Sequence, residues 1–114
     1  MVKVSPNRFV SNRVTAIRNE VKTGTRRLRN RTLSMLQETF KVAAKVARGE
    51  IRRQRINGKM VPISLNQRQR WVRVADHIAK MMNSIASNLD EREINHQLDE
   101  LEKLVDEATA RPKG

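Results

Sequence analysis

Arginine is the residue whose chemistry dominates this sequence. The chain has 24 lysine or arginine residues against 12 acidic ones, for a formal net charge of +12, and sixteen of the basic residues are arginine. A guanidinium group presents a planar fork of N–H donors that fits two oxygens of a phosphate group. The composition therefore predicts a polyanionic partner.

The basic residues predicted to contact phosphate fall into three groups, in the first 31 residues, at 48–59, and on either side of Trp71. The predicted nucleic-acid-binding residues are Lys3, Arg8, Arg13, Arg18, Lys22, Arg26, Arg27, Arg29, Arg31, Arg48, Arg52, Arg53, Arg55, Lys59, Arg68, Arg70 and Arg73. Residues 1–59 carry a net charge of +13, whereas residues 89–114 carry −4. This asymmetry predicts that the front of the chain meets the partner.

The aromatic residues narrow the kind of nucleic acid. Proteins that bind single strands or RNA loops usually stack bases on aromatic rings. The chain has no tyrosine, and Phe9, Phe40 and Trp71 fall on apolar stripes, where we expect them to pack in an otherwise aliphatic core. We therefore expect contacts to a duplex backbone, DNA rather than RNA, with low sequence specificity. Binding of structured RNA through phosphates alone, or stacking by arginine, stays open.

The other reactive residue types form no catalytic pattern. The chain has no cysteine, its histidines His77 and His96 have no partners at metal-ligand spacing, and its four glycines form no phosphate loop. The acidic residues are concentrated near the end of the chain rather than paired for acid–base chemistry. We expect no enzymatic activity, no metal or other cofactor, and no small-molecule substrate.

Apolar residues spaced by three and four predict the helices that position these cations. Ser5 and Pro6 mark the start of a first helix over about 6–22, since serine is a common N-cap and proline fits the first helical position. A wider stripe predicts a second helix over 25–48 that ends before Gly49. The first stripe consists of Val10, Val14, Ile17 and Val21.

Asn57 and Gly58 separate two runs of residues that are compatible with β-strands. This pair is typical of a hairpin with a type I′ turn, which needs a positive φ at both positions. We therefore predict a short hairpin at 50–64, with Pro62 on an edge strand. The alternative is a second helix that continues through Ile56 and is followed by a loop.

Two further helices are predicted over 66–88 and 90–110. Asp90 and Glu93 resemble a capping box at the start of the last one. The residues predicted for packing or self-association are Trp71, Ile78, Met82, Ile85, Ile94, Leu98, Leu101 and Val105. Two interpretations stay open, because these stripes suit either an antiparallel pair within one chain or a seam between copies. In the second, an acidic face on the last helix meets a basic surface of a neighbouring copy; that face is Asp99, Glu100, Glu102, Asp106 and Glu107.

The predicted fold is mainly α, a small bundle of about four helices with a basic N-terminal helical arm and a short β-hairpin. The predicted organisation is an arm at 1–24, a helical body at 25–110 and a tail at 111–114. Within the body we expect helix 25–48, a hairpin or loop at 49–65, helix 66–88, and an acidic heptad helix at 90–110.

These features predict a non-enzymatic architectural protein of the nucleoid, nucleocapsid or packaging type that binds duplex DNA and forms homo-oligomers. The alternatives are a ribosomal or ribonucleoprotein component, and a dimeric winged-helix-like regulator whose hairpin is the wing. An adaptor for acidic protein surfaces is a further class. No sequence motif chooses among them.

No apolar run is long enough for a membrane-spanning helix, and the N-terminus lacks the apolar core of a secretion signal. We therefore expect an intracellular protein, in the cytoplasm or nucleoid, or inside a virion or ribonucleoprotein particle. Attachment of the basic first helix to an anionic lipid surface is the competing expectation.

Overall fold

The computed structural model describes residues 5–23, 28–87 and 90–110, which form four helices and one antiparallel hairpin. The elements are α1 (Pro6–Thr23), α2 (Leu28–Ala47), β1 (Arg53–Ile56), β2 (Lys59–Pro62), α3 (Leu65–Ser87) and α4 (Glu91–Thr109). This architecture confirms the predicted small helical bundle with a short hairpin. The first residues of the second predicted helix (25–27), the predicted end of the third helix at Asn88 and the tail at 111–114 lie outside the described residues.

The helices form a ring in which each one contacts two neighbours. Both α1 and α3 pack against α2 and α4. Glu20 near the end of α1 meets Arg31 near the start of α2, and Arg68 near the start of α3 meets Ala47 at the end of α2. Since α4 returns antiparallel to α3, the bundle runs up, down, up and down.

The core is aliphatic around Trp71, whose side chain has no exposed surface. All four stripe residues predicted for the first helix are buried in it. Because full burial of a side chain of this size stabilises the fold by about 1.5–3 kcal/mol, α1 is held in the same core as the rest of the bundle. The helix that the sequence set apart as a basic arm therefore shares the core of the body.

The apolar stripes of α3 and α4 face each other inside one chain. Met82 is half-buried, and the other predicted packing residues are buried: Trp71, Ile78, Ile85, Ile94, Leu98, Leu101 and Val105. The antiparallel pair accounts for their heptad spacing within a single chain. These buried side chains offer no seam to a second copy, so self-association stays a prediction that needs another surface.

The hairpin has the predicted turn. Ile56 pairs with Lys59, so Asn57 and Gly58 form a two-residue loop, and their φ angles of 52° and 79° are both positive, as a type I′ turn requires. Pro62 pairs with Arg53 at the open end of the two-stranded sheet. The competing interpretation, in which the second helix continues through Ile56, is wrong, because α2 ends at Ala47.

Side-chain hydrogen bonds fix the hairpin on the bundle. Gln54 is fully buried; its Nε2 donates to the carbonyl of Ala108 at 3.3 Å, and its Oε1 accepts from Trp71 Nε1 at 3.2 Å. Ser5 lies at the predicted N-cap position, where its carbonyl accepts the backbone N–H of Phe9 at 2.8 Å, and its hydroxyl accepts the backbone N–H of Arg55 at 2.8 Å. The start of α1 and the ends of two other helices thus meet β1.

Helix ends follow the local chemistry predicted from the sequence. Asp90 caps α4, since its carboxylate accepts the backbone N–H of Arg92 at 3.0 Å. Gly49 follows the end of α2 with φ of 81°, and its N–H bonds to the carbonyl of Val46 at 3.0 Å. In the described part of the chain, no helix has the length and apolarity to cross a membrane.

Candidate nucleic-acid interface

One end of the bundle concentrates the basic residues. This hairpin end consists of residues 45–73, which include the last turn of α2, the hairpin and the first turns of α3. It contains nine lysine or arginine residues and one acidic residue, Glu50. The nine are all exposed: Lys45, Arg48, Arg52, Arg53, Arg55, Lys59, Arg68, Arg70 and Arg73.

The hairpin presents two of these arginines on its outer face. Gln54 points inward, so Arg53 and Arg55 point outward with Met60, the cross-strand partner of Arg55. Arg53 Nη2 donates to the carbonyl of Met60, and Arg55 Nη1 donates to the carbonyl of Gly58, both at 3.3 Å. No described carboxylate lies within 4 Å of either guanidinium group, so no neighbouring anion offsets their charge.

The first turns of α3 extend this positive surface. Arg70 Nη1 donates to the carbonyl of Glu107 at the end of α4, at 2.8 Å. Arg70 and Arg73 line a polar groove of about 260 Å³ together with Asn66 and Gln69. The groove offers guanidinium and amide donors to an oxygen-rich ligand.

A second cleft lies between the last turn of α2, the base of the hairpin and α3. Its volume is about 370 Å³, and it is lined by Arg48, Gly49, Ile51, Arg52, Pro62, Ile63 and Arg68. Three arginines therefore converge at one cleft, although up to 20 positions separate them in the sequence.

Three arginines of the predicted N-terminal group are bound within the protein instead. These interhelical ion pairs join Arg13 to Glu38, Arg31 to Glu20, and Arg18 to Asp99 and Glu102. Arg13 also lies over the half-buried ring of Phe9, 5.0 Å from its centroid. The acidic residues Asp99 and Glu102, which the sequence offered to a neighbouring copy, meet Arg18 of the same chain.

The ion pairs with Asp99 and Glu102 change the pKa of Arg18. Partial burial acts to lower the pKa of its guanidinium, but the hydrogen bonds and charges of Asp99 and Glu102 outweigh that effect and raise the pKa. Its Nη2 lies 2.5 Å from Asp99 Oδ1 and 3.2 Å from Glu102 Oε1. Because Asp99 and Glu102 occupy its donors and offset its charge, the guanidinium of Arg18 is poorly placed to contact phosphate.

The remaining predicted residues are scattered. Arg8 is exposed at the start of α1, near the hairpin, whereas Lys22 and Arg29 are exposed at the opposite end of the bundle. Lys3, Arg26 and Arg27 lie outside the described residues.

Sequence reasoning missed three residues of this region. Lys45 was omitted although it lies in the last turn of α2, and its position three residues before Arg48 was a usable signal. Gly49 and Glu50 were not assigned to the site, because only the fold brings Gly49 against Arg68.

The histidines and acidic residues form no cluster of metal ligands within the described ranges. His77 is half-buried, with its Nε2 2.8 Å from the carbonyl of Gln97, so it acts in the contact between α3 and α4. Comparison with known protein families, with curated proteins and with solved structures finds no match for this chain.

Proposed function

We propose that the protein binds the backbone of duplex DNA through the hairpin end, as a non-enzymatic architectural protein with low sequence specificity. The observation that carries this proposal is the set of nine exposed cations around one carboxylate at 45–73. Asp106 and Glu107, in the last turn of α4, lie at the same end of the bundle, since Arg70 bonds to the carbonyl of Glu107. Nine cations against these three carboxylates still leave a large surplus of positive charge on one end of a small body, and phosphates are the polyanionic groups that arginine forks fit. A protein with this role works where DNA is held, in a nucleoid or a packaged particle.

The dimensions of the bundle suit several phosphate contacts. The molecule measures 45 × 28 × 22 Å. Duplex DNA carries one charge per ~1.7 Å of its axis. A length of duplex equal to the 28 Å width of the molecule therefore presents roughly 16 charges, about half of them on one side. The nine cations of the hairpin end are therefore matched in number to the phosphates within reach.

The aromatic residues favour a duplex over single strands. Trp71 is fully buried, Phe40 is half-buried, and Phe9 is half-buried beneath Arg13. None of the three rings forms an exposed platform on which bases could stack. Backbone contacts by arginine and lysine do not need such a platform.

The winged-helix alternative has less support from the bundle. A winged helix places its hairpin after three helices, whereas this hairpin lies between α2 and α3. Its long helices run antiparallel, and a helix-turn-helix joins its helices at about 90–120°.

The experiment is a salt titration of binding, measured by fluorescence anisotropy with a labelled DNA duplex of mixed sequence. Six to eight phosphate contacts predict a slope of log affinity against log salt of roughly −5 to −7, which is a loss of about 10³-fold or more between 50 and 200 mM salt. A salt-independent affinity would overturn the proposal. Tighter binding to duplex RNA or to a folded RNA than to DNA would favour the ribonucleoprotein alternative instead.

A matched pair of double variants locates the surface. Arg53→Gln with Arg55→Gln removes two cations from the hairpin end, and Lys41→Gln with Lys103→Gln removes two exposed cations from α2 and α4. We expect the first pair to weaken DNA binding by about 10- to 100-fold and to reduce the salt slope by about 2, since each phosphate contact contributes ~0.9 to it. Equal losses from both pairs would show that binding follows net charge rather than the hairpin end.

A further inference from the structure

In the cleft of Arg48, Arg52 and Arg68, hydrogen bonds to the backbone orient two guanidinium groups. Arg68 Nε donates to the carbonyl of Ala47 at 2.9 Å, and Arg52 Nε donates to the carbonyl of Gly49 at 3.1 Å. Both bonds use Nε. The Nη1 and Nη2 groups of the two arginines have no hydrogen-bond partner among the described residues. The backbone at the end of α2 thus orients two forks whose outer donors stay free.

Gly49 makes this arrangement possible. A Cβ atom at this position would lie 3.1 Å from Arg68 Cζ, and the φ of 81° is one that residues other than glycine rarely adopt. The guanidinium of Arg68 therefore lies against bare backbone. The positive φ and the close approach of Arg68 both favour glycine here.

The charge of the cleft is positive despite two opposing groups. Arg48 is paired with Glu50, whose Oε2 accepts from its Nε at 3.1 Å and its Nη2 at 2.9 Å. The C-terminus of α2 adds a partial charge of about −0.5. Two full positive charges on Arg52 and Arg68 outweigh that partial charge.

The other side chains that line the cleft are apolar. Ile51 and Ile63 are half-buried and pack against the core, and Pro62 completes this wall. A volume of about 370 Å³ falls in the range of roughly 300–1,000 Å³ typical of small-ligand sites. The cleft thus offers two forks for an oxyanion beside a surface that suits a sugar ring.

On the basis of the proposed function, we propose that this cleft binds one nucleotide phosphate of the DNA, with Arg52 and Arg68 on the phosphate oxygens and the deoxyribose against Ile51, Pro62 and Ile63. The site fixes the position of one nucleotide, whereas the cations on the outer face of the hairpin contact phosphates without a cavity. The ligand class is a nucleoside monophosphate unit.

The test is a titration of the isotopically labelled full chain with dTMP, followed by the backbone amide signals. We expect saturable shifts at Gly49, Arg52 and Ile63, similar sites of change with inorganic phosphate at lower affinity, and no saturable change with thymidine. Shifts spread over all exposed arginines, or none at the cleft, would overturn the inference.

Two variants with a matched control separate the cleft from general charge. We expect Arg68→Gln and Arg52→Gln each to weaken dTMP binding by at least about 10-fold, since each removes a charge-assisted fork. Arg92→Gln removes an exposed arginine charge at the start of α4, outside the hairpin end, and should leave dTMP binding within about twofold. Arg68→Lys keeps the charge but lacks the fork, so recovery of full binding by lysine would contradict bidentate recognition.

Glu50 provides a change in the opposite direction. Glu50→Gln frees Arg48 from its ion pair and removes the one carboxylate of the hairpin end. We expect dTMP to bind roughly two- to fivefold more tightly. Unchanged or weaker binding would contradict the predicted electrostatics of the cleft.

The two proposals can fail separately. DNA binding with the expected salt slope, but without dTMP binding at the cleft, would leave the proposed function in place and remove the nucleotide site. Saturable dTMP binding without duplex binding would keep the cleft and overturn the proposed function.

Discussion

The hairpin end and the interhelical ion pairs place arginine in opposite electrostatic settings. The hairpin end has nine cations against one carboxylate of the same segment, Glu50, and two more, Asp106 and Glu107, in the adjacent last turn of α4. Along α1, by contrast, Arg13 and Arg18 meet carboxylates of α2 and α4, and Glu20 meets Arg31 of α2. The net charge of a sequence segment therefore does not by itself locate a binding surface. The carboxylates that the fold brings to each cation decide whether it is available to a partner.

The largest expected effect comes from loosening the hairpin without changing any charge. Gln54→Leu leaves the buried N–H of Trp71 and the carbonyl of Ala108 without their partner. We expect the free energy of unfolding to fall by about 1–3 kcal/mol, because a buried polar group loses its hydrogen bond. Chemical denaturation followed by circular dichroism measures this change.

The exposed glutamine Gln69 provides the control for that variant. Gln69→Leu should change the stability by less than about 0.5 kcal/mol. A Gln54→Leu variant as stable as Gln69→Leu would show that the hairpin does not depend on its buried amide.

A triple variant that removes the interhelical ion pairs tests whether the paired arginines contribute to DNA binding. Replacing Arg13, Arg18 and Arg31 with glutamine should reduce the unfolding free energy by about 1–2 kcal/mol in total, since exposed ion pairs contribute ~0.2–1 kcal/mol each. It removes more charge than the double variant of Arg53 and Arg55, yet we expect it to weaken DNA binding by less than about threefold at physiological salt. Denaturation and anisotropy on the same samples check both expectations.

One result for the triple variant would contradict the expected difference between α1 and the hairpin end. If it reduces DNA affinity as much as the hairpin double variant does, α1 is part of the binding surface and the contrast between the two regions fails.

The smallest expected effects on stability come from alanine substitutions at two glycines of the hairpin end, Gly58 and Gly49. Gly58→Ala should lower the free energy of unfolding by about 1 kcal/mol, because its φ of 79° is unfavourable for a residue with a Cβ. No neighbouring atom would contact that Cβ, so no steric cost is added. Gly49→Ala has a similar φ and in addition displaces Arg68, so we expect it to weaken dTMP binding as well as stability. Thermal unfolding and the dTMP titration measure the two properties; an equal loss of dTMP binding in both variants would contradict the role of Gly49.

Much of the fold could be predicted from local sequence. The spacing of Val10, Val14 and Ile17 predicted a helix and its buried face, since 3.6 residues per turn bring such positions together. Asn57 and Gly58 predicted the turn, because few residue types accept a positive φ at two successive positions.

The candidate site was only partly predictable, for a physical reason. The sequence placed Arg18 and Arg53 in one class, although Arg18 is paired with Asp99, 81 positions away, and no described carboxylate pairs with Arg53. Local patterns carry no information on contacts between helices that are distant in the chain.

The sequence by itself therefore determined the helices, the hairpin and the total positive charge, because these depend on residue type and on spacing within a few turns. The tertiary structure alone decided which cations are neutralised, and that Gly49, Arg52 and Arg68 share one cleft. Ion pairing and cavities depend on distances of a few ångströms across the bundle, and those distances exist only once the helices have packed.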